Sequence, residues 1–451
     1  MSILFLAAIL LGDGQSGVAP AMPVVTPGPA VTLAEALRAA DERNLTLAAT
    51  RQEIAKAEAQ LEQAWGSLLP IVNGQLGYTR NDHADTLSLL DNLPAGLKAA
   101  ALASGPPPAD LVVRRQDDVR AGATATLPLV SPPAWLGIGA ARLGVEVATL
   151  TVENARQQLL FAVAQAFWMA HINLELVGIQ ESQLKAALHH RDVARARMEA
   201  GDAMRIDVVR AETEVEGTRQ DLLSAHLALD NARDALATLM ASKELPLPVT
   251  PPSLQLPAEG ALTETIAARP DVRSARASAQ LAGRMVDVSW MQFLPSLGLS
   301  GQYSYLFSKP PDLGSSDRSR WSAMLVLSVP IYSELRHADL DSKRASLAQA
   351  SLHEADLLAG AELEVRKAHR DYLASLNTEE TAERQAALTR EALALTESAY
   401  VNGASTSLDM TDAQRTNRTA ELNAVAQRLR SQMALLTLMR VMGGRAESLA
   451  P

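Results

Sequence analysis

Residues Met198-Glu199-Ala200-Gly201-Asp202-Ala203-Met204-Arg205-Ile206-Asp207-Val208 are echoed by Tyr400-Val401-Asn402-Gly403-Ala404-Ser405-Thr406-Ser407-Leu408-Asp409-Met410. Each stretch places a glycine after a long proline-free run and an aspartate at one fixed distance beyond it. Working outward, the register holds. The interval from Pro128 to Gly201 equals that from Pro330 to Gly403, and Met240 and Met442 lie equally far past their glycines. Upstream, Leu69-Pro70 before Leu76-Gly77-Tyr78 returns as Leu294-Pro295 before Gly301-Gln302-Tyr303. Common spacing across two halves means that one structural unit was duplicated.

The runs before the two glycines set the length scale. From Trp135 to Ala200 and from Glu334 to Val401 no proline intervenes, and helices of about 65 residues would be about 100 Å long. Leu136, Leu143, Val147, Leu150 and then Leu174, Val177, Leu184, Leu188 stand at heptad-like spacing diluted by alanine, the pattern of long antiparallel helices packed as coiled coils. Gly201 and Gly403 end these helices in hairpin turns, and second helices run on to about Met240 and Met442. A further helix opens each copy. One is capped by Thr32 and Glu35 and runs to about Leu69; its counterpart spans about Leu262 to Leu294. Proline halts both.

Four segments alternate with the two-residue period of strands. They are Ile71 to Arg80, Val119 to Val130, Leu297 to Ser308 and Arg320 to Ile331. In the first, Val72, Leu76 and Tyr78 alternate with Asn73, Gln75 and Thr79; in the last, Trp321, Ala323, Leu325, Leu327 and Val329 face one way. At about ten residues each, they match tilted strands that cross a bilayer, with Tyr78, Tyr305, Phe307 and Trp321 near the ends as interfacial aromatics. Taken singly, each segment also suits the half-buried strand of a soluble sheet. The connections at 81–118 and 309–319 are polar and rich in proline and glycine, so they are expected as solvent loops. Residues 1–21 are expected to be an export signal, from the apolar run Ile3 to Leu11 and the small residues around Ala19-Pro20-Ala21, although no Lys or Arg precedes Arg38. The expected units are therefore 32–241, with strands 71–80 and 119–130; a proline-rich linker, 242–261; and 262–444, with strands 297–308 and 320–331. No uncharged stretch of about 20 apolar residues suggests a membrane-spanning helix.

Composition narrows the function. The 451 residues are 47% hydrophobic but only 4% aromatic, which suits close-packed alanine- and leucine-rich helices. A net charge of -10 argues against a nucleic-acid surface. Without cysteine there is no disulfide, thiolate metal site or thiol nucleophile. Ser182 and Lys185 spell S-x-x-K in mid-helix without a partner motif, and His189-His190 point about 100° apart on a helix and cannot chelate together. No HExxH or phosphate-binding loop occurs. Neither enzyme activity nor a cofactor or metal is expected.

Four amphipathic strands leave two open edges, and neither can stay unpaired in lipid. The chain must then associate with copies of itself if the strands cross a membrane. Three copies would bring twelve strands. The doubled order of the Leu-Pro and strand segments, with the turns around Gly201 and Gly403 and the segments Ile206-Asp207-Val208 and Leu408-Asp409-Met410-Thr411-Asp412-Ala413, resembles the TolC-like outer-membrane efflux protein (OEP) family over Thr32 to Gly444. The resemblance implies an α+β membrane protein, a homotrimer with a 12-stranded outer-membrane β-barrel continued by a periplasmic α-helical barrel. It further implies a passive exit channel of a tripartite efflux or type I secretion system. Its partners would be a periplasmic adaptor (membrane fusion) protein, an inner-membrane pump of RND or ABC type and outer-membrane lipid.

Particular residues acquire roles from that resemblance. Asp409 and Asp412 correspond to the family's acidic constriction; three apart, they share a helix face and would form two carboxylate rings at a threefold axis. Asp409 can equally cap the helix after Thr406, and Asp412 can be a solvated first-turn acid. Asp207 and Tyr400 correspond to an inter-helix hydrogen bond that holds the tunnel shut, although Ser405 stands where the family has its accompanying basic residue. Gly201 and Gly403 correspond to docking points for the adaptor. The rival reading from another class is a soluble periplasmic coiled-coil adaptor or scaffold.

Overall fold

A computed structural model describes residues 27–88, 90, 93–106, 110–252, 266–308 and 317–449. The expected export signal at 1–21 lies outside them. Its elements are β1 (Ala30–Val31), α1 (Leu33–Arg43), α2 (Leu45–Gly66), β2 (Ile71–Arg80), β3 (Asp85–Leu87), α3 (Ala95–Ala103), β4 (Leu111–Arg114), β5 (Asp117–Val130), α4 (Pro132–Ala200), α5 (Arg205–Leu239), β6 (Leu247–Pro248), α6 (Pro270–Met291), β7 (Ser296–Leu306), β8 (Ser319–Ser328), α7 (Glu334–Val401) and α8 (Ser407–Val441). The doubled plan is plain in the pairs α4/α7, 69 and 68 residues long, and α5/α8, 35 residues each. The chain divides into two compact units, one of residues 46–156 and 262–363, the other of residues 1–45, 157–261 and 364–451.

In the first unit the four long strands form one antiparallel sheet in the order β2-β5-β7-β8. Each copy's two strands pair as a hairpin would, and β5 joins β7 across the copies. The register sorts side chains by face, since directly opposed residues point the same way. Gly74, Ala123, Tyr303 and Trp321 stand in line across all four strands, as do Val72, Ala125, Gly301 and Ala323. One residue along, Asn73, Thr124, Gln302 and Ser322 line up on the other face. One face is apolar and the other mostly hydrophilic, with Ile71 and Met324 at the ends of the row through Thr126 and Ser300. β2 and β8 form the edges, and all ten residues of each are exposed.

Local signals explain the element ends, and some differ from expectation. Thr32 and Glu35 form the expected capping box, with the Thr32 N–H donating to Glu35 at 2.9 Å. The first helix is broken at Asn44, whose backbone is extended at ψ 119°, because its side-chain amide donates to the Leu239 carbonyl at 3.0 Å. Its counterpart in the second copy is α6, which begins at Pro270; the expected start near Leu262 lies outside the described residues. Proline at the first helical position has its missing N–H where no helical bond is needed. The strand β8 stops at Ser328, two residues before Pro330, which can donate no ladder hydrogen bond. The connection 81–118 is not a bare loop, because β3 pairs with β4 and α3 lies between them. The described part of the linker is also anchored: β6 runs parallel to β1, pairing Ala30 with Leu247.

The second unit holds the main core. Leu33, Ala36, Leu37 and Ala40 of α1 pack with Leu160, Phe161, Phe167 and Trp168 of α4, Leu236 of α5 and Leu435 and Leu436 of α8. Beyond this cluster, α4 and α5 zip through Val177, Leu184, Val215, Leu222 and Leu229, whereas the buried apolar cluster between α7 and α8 is of alanines, Ala382, Ala386, Ala420 and Ala424, flanked by polar contacts such as Arg390 with Glu421 at 3.0 Å. Against expectation, α4 contains an 18-residue stretch apolar enough in composition to cross a bilayer. Half of that stretch is buried inside the protein, which gives its apolarity a packing role.

Candidate functional site

The candidate site is the pair of helical hairpin turns, α4 to α5 and α7 to α8, in the second unit. Gly201 and Gly403 have φ of +87° and +76°. In both turns the glycine N–H bonds back three residues, to Met198 or Tyr400, and the next N–H bonds back five, from Asp202 to Arg197 at 2.9 Å and from Ala404 to Ala399 at 2.8 Å. This closure satisfies the last helical carbonyls and requires a left-handed residue, so glycine is favoured. Nothing lies within 4 Å of where a Cβ would stand on either glycine. Both turns present bare backbone to open space.

The aspartate six residues on has the same local duty in both copies. Asp207 accepts from the Met204 N–H at 3.1 Å, and Asp409 accepts from the Thr406 N–H at 2.9 Å. Thr406 reciprocates by accepting from the Asp409 N–H, completing a capping box, and its hydroxyl also donates to Asp409 at 2.7 Å. The Thr406 hydroxyl first, then its N–H and the Ser405 hydroxyl, hold the Asp409 carboxyl below the ordinary carboxylate range.

The copies then diverge. Arg210 lies 3.8 Å from Asp207 on the same helix and offsets its charge. At the equivalent place α8 carries Asp412, so the second turn doubles the negative charge where the first neutralises it. Asp409 and Asp412 are both exposed, and among the described residues neither has a basic partner. The structure thus brings the two carboxylates to one exposed helix end and gives Asp409 the cap as well.

Asp207 and Tyr400 are not joined by a hydrogen bond in this chain. Among the described residues no group bonds the buried Tyr400 hydroxyl, and Asp207 is engaged at Met204 and Arg210. Tyr400, only 3% exposed, is instead held by α4. Arg197 donates to the Tyr400 carbonyl at 2.8 Å and stacks its guanidinium 4.7 Å from the ring centre, while His190 meets the ring edge-on at 5.5 Å and 75°. Behind His190, Glu214 of α5 lies 3.7 Å from Nδ1. With its amide turned to donate, Gln414 of α8 reaches both Glu214 oxygens at 2.9 and 3.1 Å. Sequence reasoning missed Arg197, His190 and Glu214 in this role. The available signal was a cation in the last turn of α4, where it can serve helix-terminal carbonyls, at a place where the second copy has Ala399.

No group of three or more His, Asp and Glu side chains suited to a metal ion occurs among the described residues. Comparisons with known proteins fit this picture of a doubled chain. A family model described as outer membrane efflux protein matches residues 36–242 and 261–444. The outer membrane protein OprJ of Pseudomonas aeruginosa is 25% identical over 303 residues, covering 64% of this chain and 62% of that protein. Nodulation protein T of Rhizobium leguminosarum bv. viciae is 26% identical over 295 residues, covering 62% of this chain and 60% of that protein. The chain thus spans about three fifths of the length of the curated relatives it matches. Among solved structures, CusC, described as a transmembrane channel, superposes with a TM-score of 0.75 at 19% identity, covering 95% of this chain and 99% of that one. The fold is shared across nearly the whole chain.

Proposed function

We propose that this chain, which belongs to the outer membrane efflux protein family, is the outer-membrane exit channel of a tripartite efflux or secretion system. The observation that carries the reading is the sheet with two open edges. β2 and β8 each expose ten residues, with apolar side chains such as Val72, Leu76, Trp321 and Leu325 in the open. Such edges cannot stay unpaired in lipid, and in water long apolar edges invite pairing with another chain. Three copies pairing β8 of one to β2 of the next close a twelve-stranded barrel, with the apolar face toward lipid and the Asn73-Thr124-Gln302-Ser322 face toward the lumen. The long helices extend this tube into the periplasm. The turns at Gly201 and Gly403 meet the periplasmic adaptor, and an inner-membrane pump supplies the energy.

Asp409 and Asp412 form the constriction. In a trimer they become two rings of carboxylates, and such rings attract and retain cations. The rival reading, a soluble periplasmic adaptor or scaffold, leaves two exposed apolar edge strands without a cover. Cell fractionation decides between them. A heat- and detergent-resistant trimer in the outer membrane that conducts ions in planar bilayers supports the channel, and a monomer confined to the soluble periplasm refutes it.

A further inference from the structure

We infer that the clasp holding the second hairpin turn shut is Arg197 on the face and carbonyl of Tyr400, and that the tyrosine hydroxyl takes no part in it. This rests on the channel reading above and names the residues that regulate its periplasmic end. The contact joins the last turn of α4 to the last turn of α7. One guanidinium satisfies a helix-terminal carbonyl at 2.8 Å and stacks on the ring of the same residue at 4.7 Å. The planar, permanently charged fork of arginine can do both at once, which the compact ammonium of lysine cannot.

Three further observations make this a clasp rather than a chance contact. His190 meets the ring edge-on, Glu214 of α5 approaches His190, and Gln414 of α8 donates to Glu214, so side chains from all four helices of the tip gather at Tyr400. The duplication supplies no second clasp, because Met198 stands where Tyr400 would be and Ala399 where Arg197 would be. Finally, the Tyr400 hydroxyl, beside a cavity of about 60 Å³ lined by His189, Glu397, Met410 and Gln414, bonds to no protein group among the described residues, so the ring and the carbonyl carry the contact. The clasp is thus one arginine on one residue at the end of two helices, a contact that a partner docking at the turn can release in a single step.

The experiment exploits the absence of native cysteine. Spin labels on cysteines introduced at the exposed positions Glu199 and Asn402, in chains diluted into unlabelled ones, report the distance between the two turns. Arg197→Met is expected to shift the population toward wider distances by about tenfold or more, given the loss of a cation–π contact and a charged hydrogen bond. Arg197→Lys should shift it partway, and Tyr400→Phe should leave it unchanged. An Arg197→Met distribution like the wild type overturns the clasp, as does a Tyr400→Phe distribution as wide as that of Arg197→Met. Bilayer conductance, measured in parallel, tests the channel reading separately. An Arg197→Met variant that never conducts although its distances widen as expected sinks the channel and leaves the clasp standing.

Discussion

Ala241 and Gly443 occupy equivalent places just past α5 and α8, and both backbones are left-handed, with φ of 51° and 77°. The bonds that follow also match: Ser242 to Ala237 and Gly444 to Met439, each at 2.9 Å. One copy solves this turn with glycine and the other strains an alanine. Ala241→Gly should therefore stabilise the helical unit by roughly 0.5–1 kcal/mol, the left-handed penalty less the extra freedom of glycine when unfolded. Urea unfolding followed by far-ultraviolet circular dichroism would measure it.

Gly201→Ala and Gly403→Ala separate turn strain from docking. Since a Cβ meets nothing within 4 Å at either place, the isolated protein should lose only about 1–2 kcal/mol per site from the positive φ. Adaptor capture should fall much further if these backbones are the docking points. Equal, small losses in both measurements would remove the docking assignment.

Replacing Asp409 and Asp412 by Asn keeps side-chain oxygens that can accept at the cap while removing the charge. Single-channel conductance should rise and block by multivalent cations should weaken. Conductance and block identical to wild type would sink the constriction. Alanine at 409 is the less clean test, because it also removes the carboxylate half of the capping box on α8.

The depressed Asp409 carboxyl carries a definite pH sign. A group whose pKa is lowered by folding stabilises the folded state above its unfolded value, about 3.9 for aspartate. That contribution disappears as pH falls through the lower, folded value. Thr406→Ala removes the largest cause of the depression, so the Asp409 titration midpoint should move up toward the ordinary range. Carbon-detected nuclear magnetic resonance of the carboxyl would follow it, and an unmoved midpoint would refute the cap as its cause.

Arg233 is fully buried and donates to the carbonyls of Leu245 and Pro246, both at 3.0 Å. Arg233→Met should orphan both acceptors, destabilise the unit by about 2–4 kcal/mol and expose the segment around Leu247 to protease. Gly28→Ala should act on the same place, because its Cβ would stand 2.0 Å from the Leu245 carbonyl oxygen. A protease pattern identical to wild type in both variants would contradict this anchoring role.

Much of this was legible in the chain because it is local. Periodicity marked the four strands to within about three residues at each end, and the unbroken runs before Gly201 and Gly403 marked the long helices, since dihedral preference and side-chain alternation act over a few residues. The strand pair β3/β4 escaped because its segments are too short to show a period, and the break at Asn44 escaped because its cause, the Leu239 carbonyl, is distant in sequence.

The amino-acid sequence by itself determined the duplication, the kinds of element, the glycine turns and the two acidic residues at the start of α8. Only the tertiary structure decided which strands adjoin, how the register gathers apolar residues on one face, and what holds Tyr400. Asp207 and Tyr400 are a plausible pair on paper, but Asp207 is taken by its own helix cap, whereas Arg197 can reach both the ring and the carbonyl of Tyr400. Competition among partners for one side chain is settled by three-dimensional distance, which spacing along the chain does not contain.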